Sequence, residues 1–144
     1  MKLLAGFALL FLLTAQAQTP AGWQLMKDKK QLCQMAVPPG WTADKIMPSM
    51  VAAPDKKASL VFSNKPDGVS YADLAKMAKD MFTPATTIED STKRTYFTSA
   101  PKNGKSSIYI LLNSTPKCEA QVEFRDPAFE ATAKQMLETL KPVK

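Results

Sequence analysis

The sequence has 144 residues, of which 45% are hydrophobic and 22% are charged. These proportions are typical of a single globular domain and exclude a disordered or fibrous chain. The formal net charge is +6 at pH 7, and histidine is absent. The absence of histidine excludes the common histidine-based catalytic triads and zinc sites, and nothing in the sequence names a substrate.

The N-terminus has the pattern of a cleavable export signal. After a short basic start, residues 3–13 are apolar, and Ala15-Gln16-Ala17 supplies the small residues that a signal peptidase needs. The apolar run is shorter than the roughly 20 residues of a permanent membrane helix. We predict a signal peptide over residues 1–17, with a buried or amphipathic first helix as the alternative. The mature domain, residues 18–144, is then periplasmic or secreted, without a lipid anchor because no cysteine lies near the cleavage site.

The charge of the mature chain is moderately basic. Removal of residues 1–17 takes away one lysine and no acid, which leaves a net charge of +5. The lysines lie in small groups beside predicted turns, and Arg94 and Arg125 are the arginines. Nucleic-acid-binding proteins usually present a basic stripe or an arginine-rich element. We therefore expect no nucleic-acid partner and no stable membrane insertion, while weak attraction to anionic membranes or acidic polymers stays open.

The sequence contains two cysteines, Cys33 and Cys118. In an exported chain the simplest arrangement is a disulfide between them, here linking an early strand to a late one. A closed loop of about 85 residues would stabilise the fold by roughly 4–5 kcal/mol in the chain-entropy account. Two buried thiols or an intermolecular bridge are the alternatives, and the absence of a Cys-x-x-Cys motif disfavours a redox pair.

The first half of the mature chain has the pattern of short strands. Residues 23–26 and 31–37 are predicted to be extended, and Val37-Pro38-Pro39-Gly40-Trp41 ends the second strand because proline donates no backbone hydrogen bond and glycine tolerates the turn. Residues 50–53 and 58–63 are predicted to form a hairpin.

A helix is predicted after this hairpin. Ser70 and Asp73 resemble a capping box, apolar residues follow at helical spacing, and Pro84 ends the helix. We interpret Met77 and Met81 as core residues, because methionine at helical spacing usually fills a core, with a flexible ligand-binding surface as the alternative.

The second half of the mature chain has the clearest strand pattern. Residues 93–99, 106–113 and 118–125 predict an antiparallel meander, and residues 127–140 predict a closing helix with Asp126 as its N-cap. The polar stretch 86–92 between the first helix and the meander is interpreted as a solvent-exposed loop.

No arrangement of side chains indicates catalysis or a cofactor. Glu119 and Glu123 share one face of a predicted strand, but about 13 Å separates their attachment points, more than the roughly 5–9.5 Å of glycosidase pairs. We therefore expect no enzyme activity, no metal and no cofactor. A candidate binding surface comprises large aromatic and methionine side chains, although packing at the core edge is their commoner role. These residues are Trp23, Trp41, Tyr71, Met77, Met81 and Tyr96.

The order of these elements resembles the PsbP-like fold family, which includes photosystem extrinsic subunits, a Ran-binding nuclear factor and many exported bacterial proteins of unknown role. The residues that carry the resemblance are Val37-Pro38-Pro39-Gly40-Trp41, the helix over 70–82, and the closing meander that leads into 129–140. The resemblance implies an α+β fold in which an antiparallel sheet of about six strands carries helices on both faces, an α/β/α sandwich. It also implies a non-enzymatic adaptor or binding role. No functional residue of the family has a matching position here, and the cysteines are not part of the family pattern.

The combined expectation is an exported, non-catalytic binding module held by one disulfide. Its expected partner is an envelope or secreted protein. The alternatives are a carrier of a small apolar or anionic ligand and, less favoured, a hydrolase that works without histidine.

Overall fold

The structure is a computed structural model that describes residues 19–47 and 49–144. The predicted signal peptide over residues 1–17 lies outside the described residues and stays a prediction. Within the described part of the chain, no helix is long and apolar enough to cross a bilayer.

Three short strands form a small antiparallel sheet. They are β1 (Gln24–Lys27), β2 (Cys33–Val37) and β10 (Lys141–Pro142), in the order β1-β2-β10. The two predicted extended segments are confirmed as β1 and β2, which pair with each other, whereas no strand was predicted at residues 141–142. Gly40 follows β2 with φ of +84°, and a Cβ atom there would lie 2.9 Å from Pro54 Cγ. This turn therefore needs glycine for both its conformation and its close packing.

The other seven strands form a larger sheet in which every neighbouring pair is antiparallel. The strands are β3 (Thr42–Ala43), β4 (Met50–Ala52), β5 (Ala58–Asn64), β6 (Ala85–Asp90), β7 (Arg94–Lys102), β8 (Lys105–Leu112) and β9 (Cys118–Phe124). Their order is β3-β4-β5-β9-β8-β7-β6. The predicted α+β class, hairpin and meander are confirmed, and the sheet has seven strands rather than about six.

The interpretation of residues 86–92 as a loop is wrong. Most of this stretch belongs to β6, an edge strand that pairs only with β7. Its side chains are exposed except for the half-buried Glu89, and a register shift between Thr87 and Glu89 interrupts the pairing. A strand that buries almost no side chain carries no apolar alternation, so its sequence looks like that of a loop.

The first helix, α1 (Tyr71–Met81), begins as predicted. Ser70 is the N-cap, and its Oγ accepts a hydrogen bond from the backbone N–H of Asp73 at 3.1 Å. The buried side chains of α1 and those of the strands below form a small apolar cluster. Its buried members are Leu74, Ala75, Ala78, Phe97, Tyr109 and Leu111.

The interpretation of Met77 and Met81 as core residues is also wrong. Their side chains are 59% and 74% exposed. Leu74 and Ala78 face the sheet. Met77 and Met81 come three residues after them, and at 100° per residue this places their side chains about 60° to one side of the sheet-facing direction. These two methionines would be buried only if another element packed beside α1, and their exposure shows that no element of the described chain covers them there.

The second helix, α2 (Glu130–Glu138), belongs to a much larger apolar cluster. A 3-10 turn over Pro127–Phe129 leads into it, and the predicted cap is confirmed because Asp126 Oδ1 accepts the backbone N–H of Ala128 at 2.9 Å. The predicted disulfide between Cys33 and Cys118 lies inside this cluster and joins β2 of the small sheet to β9 of the large sheet. The other side chains that fill the cluster include Met35, Leu60, Phe62, Ile108, Ile110, Val122, Met136 and Leu137.

Candidate functional site

One face of the large sheet is only partly covered. Strand pairing places Met50, Val61, Gln121, Tyr109 and Phe97 in one row across five strands, and paired residues point to the same side. The α1 helix packs on Tyr109 and Phe97, whereas Val61 is 39% exposed and Met50 and Gln121 are half-buried. We call the part of this face formed by β4, β5 and β9 the open half-face.

A groove lies between α1 and the open half-face. Its volume is about 140 Å³. Its apolar lining residues are Val61, Leu74, Met77, Ala78, Met81 and Phe82. Its polar lining residues include Lys65, Tyr109, Glu119 and Gln121. We call this feature the α1 groove; it can receive an apolar side chain or alkyl group and offers polar groups at its floor.

A hydrogen bond and an ion pair link three of the polar lining residues. The Tyr109 hydroxyl donates to Glu119 Oε2 at 2.6 Å, and Glu119 Oε1 forms an ion pair with Lys65 Nζ at 2.5 Å. Burial raises the pKa of Tyr109 far above its usual value, and the negative charge and hydrogen bond of Glu119 raise it further. Tyr109 therefore stays protonated at neutral pH and acts as a hydrogen-bond donor, not as a base.

The α1 groove continues towards one end of the sheet. A second cavity of about 600 Å³ shares Met81, Phe82 and Gln121 with it and reaches Lys105 and Arg125. A third cavity of about 110 Å³ contains the same two cations together with Lys56 and Lys57. Each of the three cavities shares lining residues with the next, and we call the three together the trough. One end of the trough is apolar and the other is basic.

Three of the residues predicted for a binding surface contribute to the core instead of the groove. Trp41 is 4% exposed and stacks on Phe129, with 5.9 Å between ring centroids. Tyr96 is 2% exposed, and burial raises its pKa to about 12. Trp23 is half-buried and packs against the same large cluster. Their aromatic rings thus stabilise the α2 side of the sheet.

Tyr71 has a positioning role at the start of α1. Its hydroxyl lies 2.9 Å from the carbonyl oxygen of Ser91 and 2.8 Å from Thr95 Oγ1. This contact holds the N-terminal turn of the helix against β7 and the turn before it. Of the predicted binding residues, Met77 and Met81 are therefore the two that line the α1 groove.

Several residues of the groove were missed by sequence reasoning. Val61 and Lys65 belong to β5 and the segment after it, and nothing in their local pattern indicates a groove. A signal did exist for Glu119 and Gln121, because they alternate with buried Cys118, Ala120 and Val122 along β9. Polar residues on one face of a central strand indicate that this face meets water or a ligand.

The described residues contain no cluster of three or more cysteine and carboxylate side chains that could hold a metal ion. The two carboxylates considered for acid–base chemistry each have a cationic partner. Glu119 pairs with Lys65, and Glu123 pairs with Lys105 at 2.9 Å. The trough therefore presents carboxylates paired with lysines, together with other hydrogen-bonding groups.

Comparison with known proteins gives a fold but no closer relative. No family model matches the sequence, and no curated protein matches it. The structure is similar to the solution structure of cyanobacterial PsbP (CyanoP) from Synechocystis sp. PCC 6803, with a TM-score of 0.51 and 14% sequence identity over 86% of this chain and 94% of that chain. At this identity the likeness concerns the fold alone. The chain therefore has the PsbP-like fold, as the order of its elements predicted.

Proposed function

We propose that this chain is an exported, non-catalytic binding module that contacts an envelope or secreted protein through the open half-face and the α1 groove. The observation that carries the proposal is the exposure of Met77 and Met81 beside the exposed Val61. Apolar side chains grouped around a groove favour association, because water is released when a partner covers them. Methionine suits such a surface, since its flexible side chain adapts to the shape of a partner.

The α2 side of the sheet supports the exported, structural part of the proposal. A disulfide persists in oxidising compartments, so the Cys33–Cys118 bond favours export.

We also infer a three-layer α/β/α arrangement. Alternate residues of β8 support it, because Tyr109 and Leu111 pack with α1 whereas Ile108 and Ile110 belong to the cluster that contains α2.

A carrier of a small ligand is the second candidate function. The second cavity of the trough, at about 600 Å³, falls in the 300–1,000 Å³ range of ligand pockets. It shares Met81, Phe82 and Gln121 with the α1 groove, so a ligand could lie between the sheet and the methionines of α1. The carrier and the docking module would use the same surface, and the mass of what is bound distinguishes them.

Native mass spectrometry of the protein recovered from the cells that make it tests the proposal. We expect a bound polypeptide on the wild-type protein and its loss in the variant Met77→Glu/Met81→Glu. The matched control is Leu25→Glu/Leu32→Glu, since these leucines are 54% and 39% exposed and lie outside the α1 groove. The control should keep the bound mass.

Two results would contradict the proposal. One is an unliganded wild-type protein that also shows no partner after crosslinking in the cells. The other is equal retention of the partner by the groove variant and the control variant. A bound small molecule in place of a polypeptide would favour the carrier function.

A further inference from the structure

Four cationic residues lie side by side at the basic end of the trough. Phe124 pairs with Ala58 on one side and with Ser106 on the other, so the next residue, Arg125, lies between Lys57 and Lys105. The hydrogen bond from Arg125 N to Lys57 O at 3.3 Å agrees with this register. Lys102 pairs with Lys105 and completes the row. We call Lys57, Arg125, Lys105 and Lys102 the basic row.

The basic row points to the same side of the sheet as the α1 groove. Lys105 and Arg125 lie two residues from Ser107 and Glu123, respectively, and Ser107 and Glu123 are paired on that side. All four cations line the second or third cavity of the trough. Their charges therefore lie at two cavities that share Lys105 and Arg125.

This arrangement is electrostatically unfavourable on its own. Neighbouring strands are about 4.8 Å apart, and like charges directly opposite each other across strands are destabilising. Glu123 forms an ion pair with Lys105, while the ion pairs of the described residues include none for Lys57, Lys102 or Arg125. A bound anion would offset the repulsion that the protein itself leaves.

The distance between the two ends of the trough limits the shape of that anion. Gln121 on β9, which lines the α1 groove, and Arg125, the first residue after β9, are four residues apart, which corresponds to about 13 Å of extended chain. Met81 and Phe82 line both the first and the second cavity and supply apolar surface to both, while Glu123 lies between Gln121 and Arg125 with its carboxylate paired to Lys105. A ligand that satisfies both ends has an anionic group and an apolar body of at least this length.

We propose that the trough binds a long-chain carboxylate, with its carboxylate on the basic row and its alkyl chain along Phe82, Met81 and Met77. Arg125 and Lys105 supply charge-assisted hydrogen bonds to the carboxylate. The alkyl chain buries the exposed methionine side chains and gains hydrophobic free energy. This proposal rests on the carrier function above and names the class of ligand that the carrier would hold.

Methyl NMR of the disulfide-bonded protein, labelled with 13C at the methionine methyl groups, tests the proposal with dodecanoate as the probe. We expect saturable shifts at Met77 and Met81 and none at Met26, which lies on β1 of the small sheet. The variant Lys105→Gln/Arg125→Gln should weaken dodecanoate binding by about tenfold or more. The variant Lys29→Gln/Lys93→Gln removes the same charge elsewhere and should change the affinity less than about twofold.

Two further experiments test the carboxylate and the alkyl chain of the ligand separately. A neutral dodecyl glucoside should bind at least about tenfold more weakly than dodecanoate, and equal affinity would overturn the role of the basic row. Dodecanoate that moves only the backbone amides of Lys105 and Arg125 in 15N-labelled protein, with both methyl groups unmoved, would show a bare anion site and overturn the proposal. Neither outcome would affect the protein-docking function, which fails if the wild-type protein shows no partner or if the Met77→Glu/Met81→Glu protein keeps its partner as well as the control variant does.

Discussion

The two apolar clusters of the molecule differ in size and in what holds them. The cluster with α2 has 20 buried residues and contains the disulfide, whereas the cluster with α1 has six buried residues. The larger cluster joins both sheets and one helix; the smaller one attaches one helix to two strands. The comparison indicates that stability is concentrated on the α2 side, which leaves the α1 side free to keep apolar side chains exposed.

Removal of the disulfide should have the largest effect. The variant Cys33→Ala/Cys118→Ala opens a link between residues 85 positions apart, so the unfolded chain gains conformational freedom. We expect the free energy of unfolding to fall by about 4–5 kcal/mol, measured by urea denaturation. A loss below about 1 kcal/mol would mean that the larger cluster does not depend on this link.

Truncation of one leucine in each cluster sharpens the comparison. Leu137 in α2 is completely buried, and Leu74 in α1 is 7% exposed. We expect Leu137→Ala to cost about 4 kcal/mol and Leu74→Ala about 2 kcal/mol, because fewer neighbours surround the cavity in the smaller cluster. Hydrogen exchange should also show that Leu74→Ala loosens α1 alone, whereas Leu137→Ala lowers protection throughout the sheet. The reverse order of the two losses would contradict this account.

A high-pH titration probes one tyrosine in each cluster. Burial raises the pKa of Tyr96 to about 12 and the pKa of Tyr109 further, so the folded protein keeps both protons when the unfolded chain has begun to lose them. The stabilisation is complete below about pH 10 and falls above it by up to about 1.4 kcal/mol per pH unit for each tyrosine.

Urea denaturation at several pH values between about 9 and 11 measures this fall. Tyr96→Phe and Tyr109→Phe should each make the decline of stability with pH shallower. A decline that is unchanged in both variants would show that other groups, such as lysines, cause it.

The smallest effect is expected for the exposed methionines. Met77 is 59% exposed, whereas Met136 in α2 is completely buried. Met77→Ala should change the free energy of unfolding by less than about 0.5 kcal/mol, and Met136→Ala should lower it by about 2–5 kcal/mol. A large loss for Met77→Ala would mean that this side chain is part of the core and would remove the basis for the binding surface.

The sequence predicted those parts of the fold whose residues alternate between buried and exposed positions. The alternation of Cys118, Ala120, Val122 and Phe124 placed β9 correctly, and the capping residues Ser70 and Asp126 marked the starts of α1 and of the turn before α2. The pairing of the two cysteines followed from their number and from the predicted export. These predictions succeeded because local patterns and simple counting were sufficient for them.

Other features depend on tertiary contacts that a single sequence does not contain. The strand β6 pairs only with β7 and buries almost nothing, so its polar sequence resembled a loop. Met77 and Met81 have core-like spacing, but α1 covers only part of the sheet and leaves them exposed. The basic row could not be predicted from the sequence, because Lys57, Lys105 and Arg125 come from three separate segments and are brought together by strand register.

Site-specific photo-crosslinking tests the central claim most directly. A photoreactive amino acid at position 77, in the α1 groove, is compared in the producing cells with the same group at position 25, on exposed β1. The account predicts a distinct crosslinked product from position 77 that is weak or absent from position 25. Equal products from both positions, or a product from position 25 alone, would contradict binding through the open half-face.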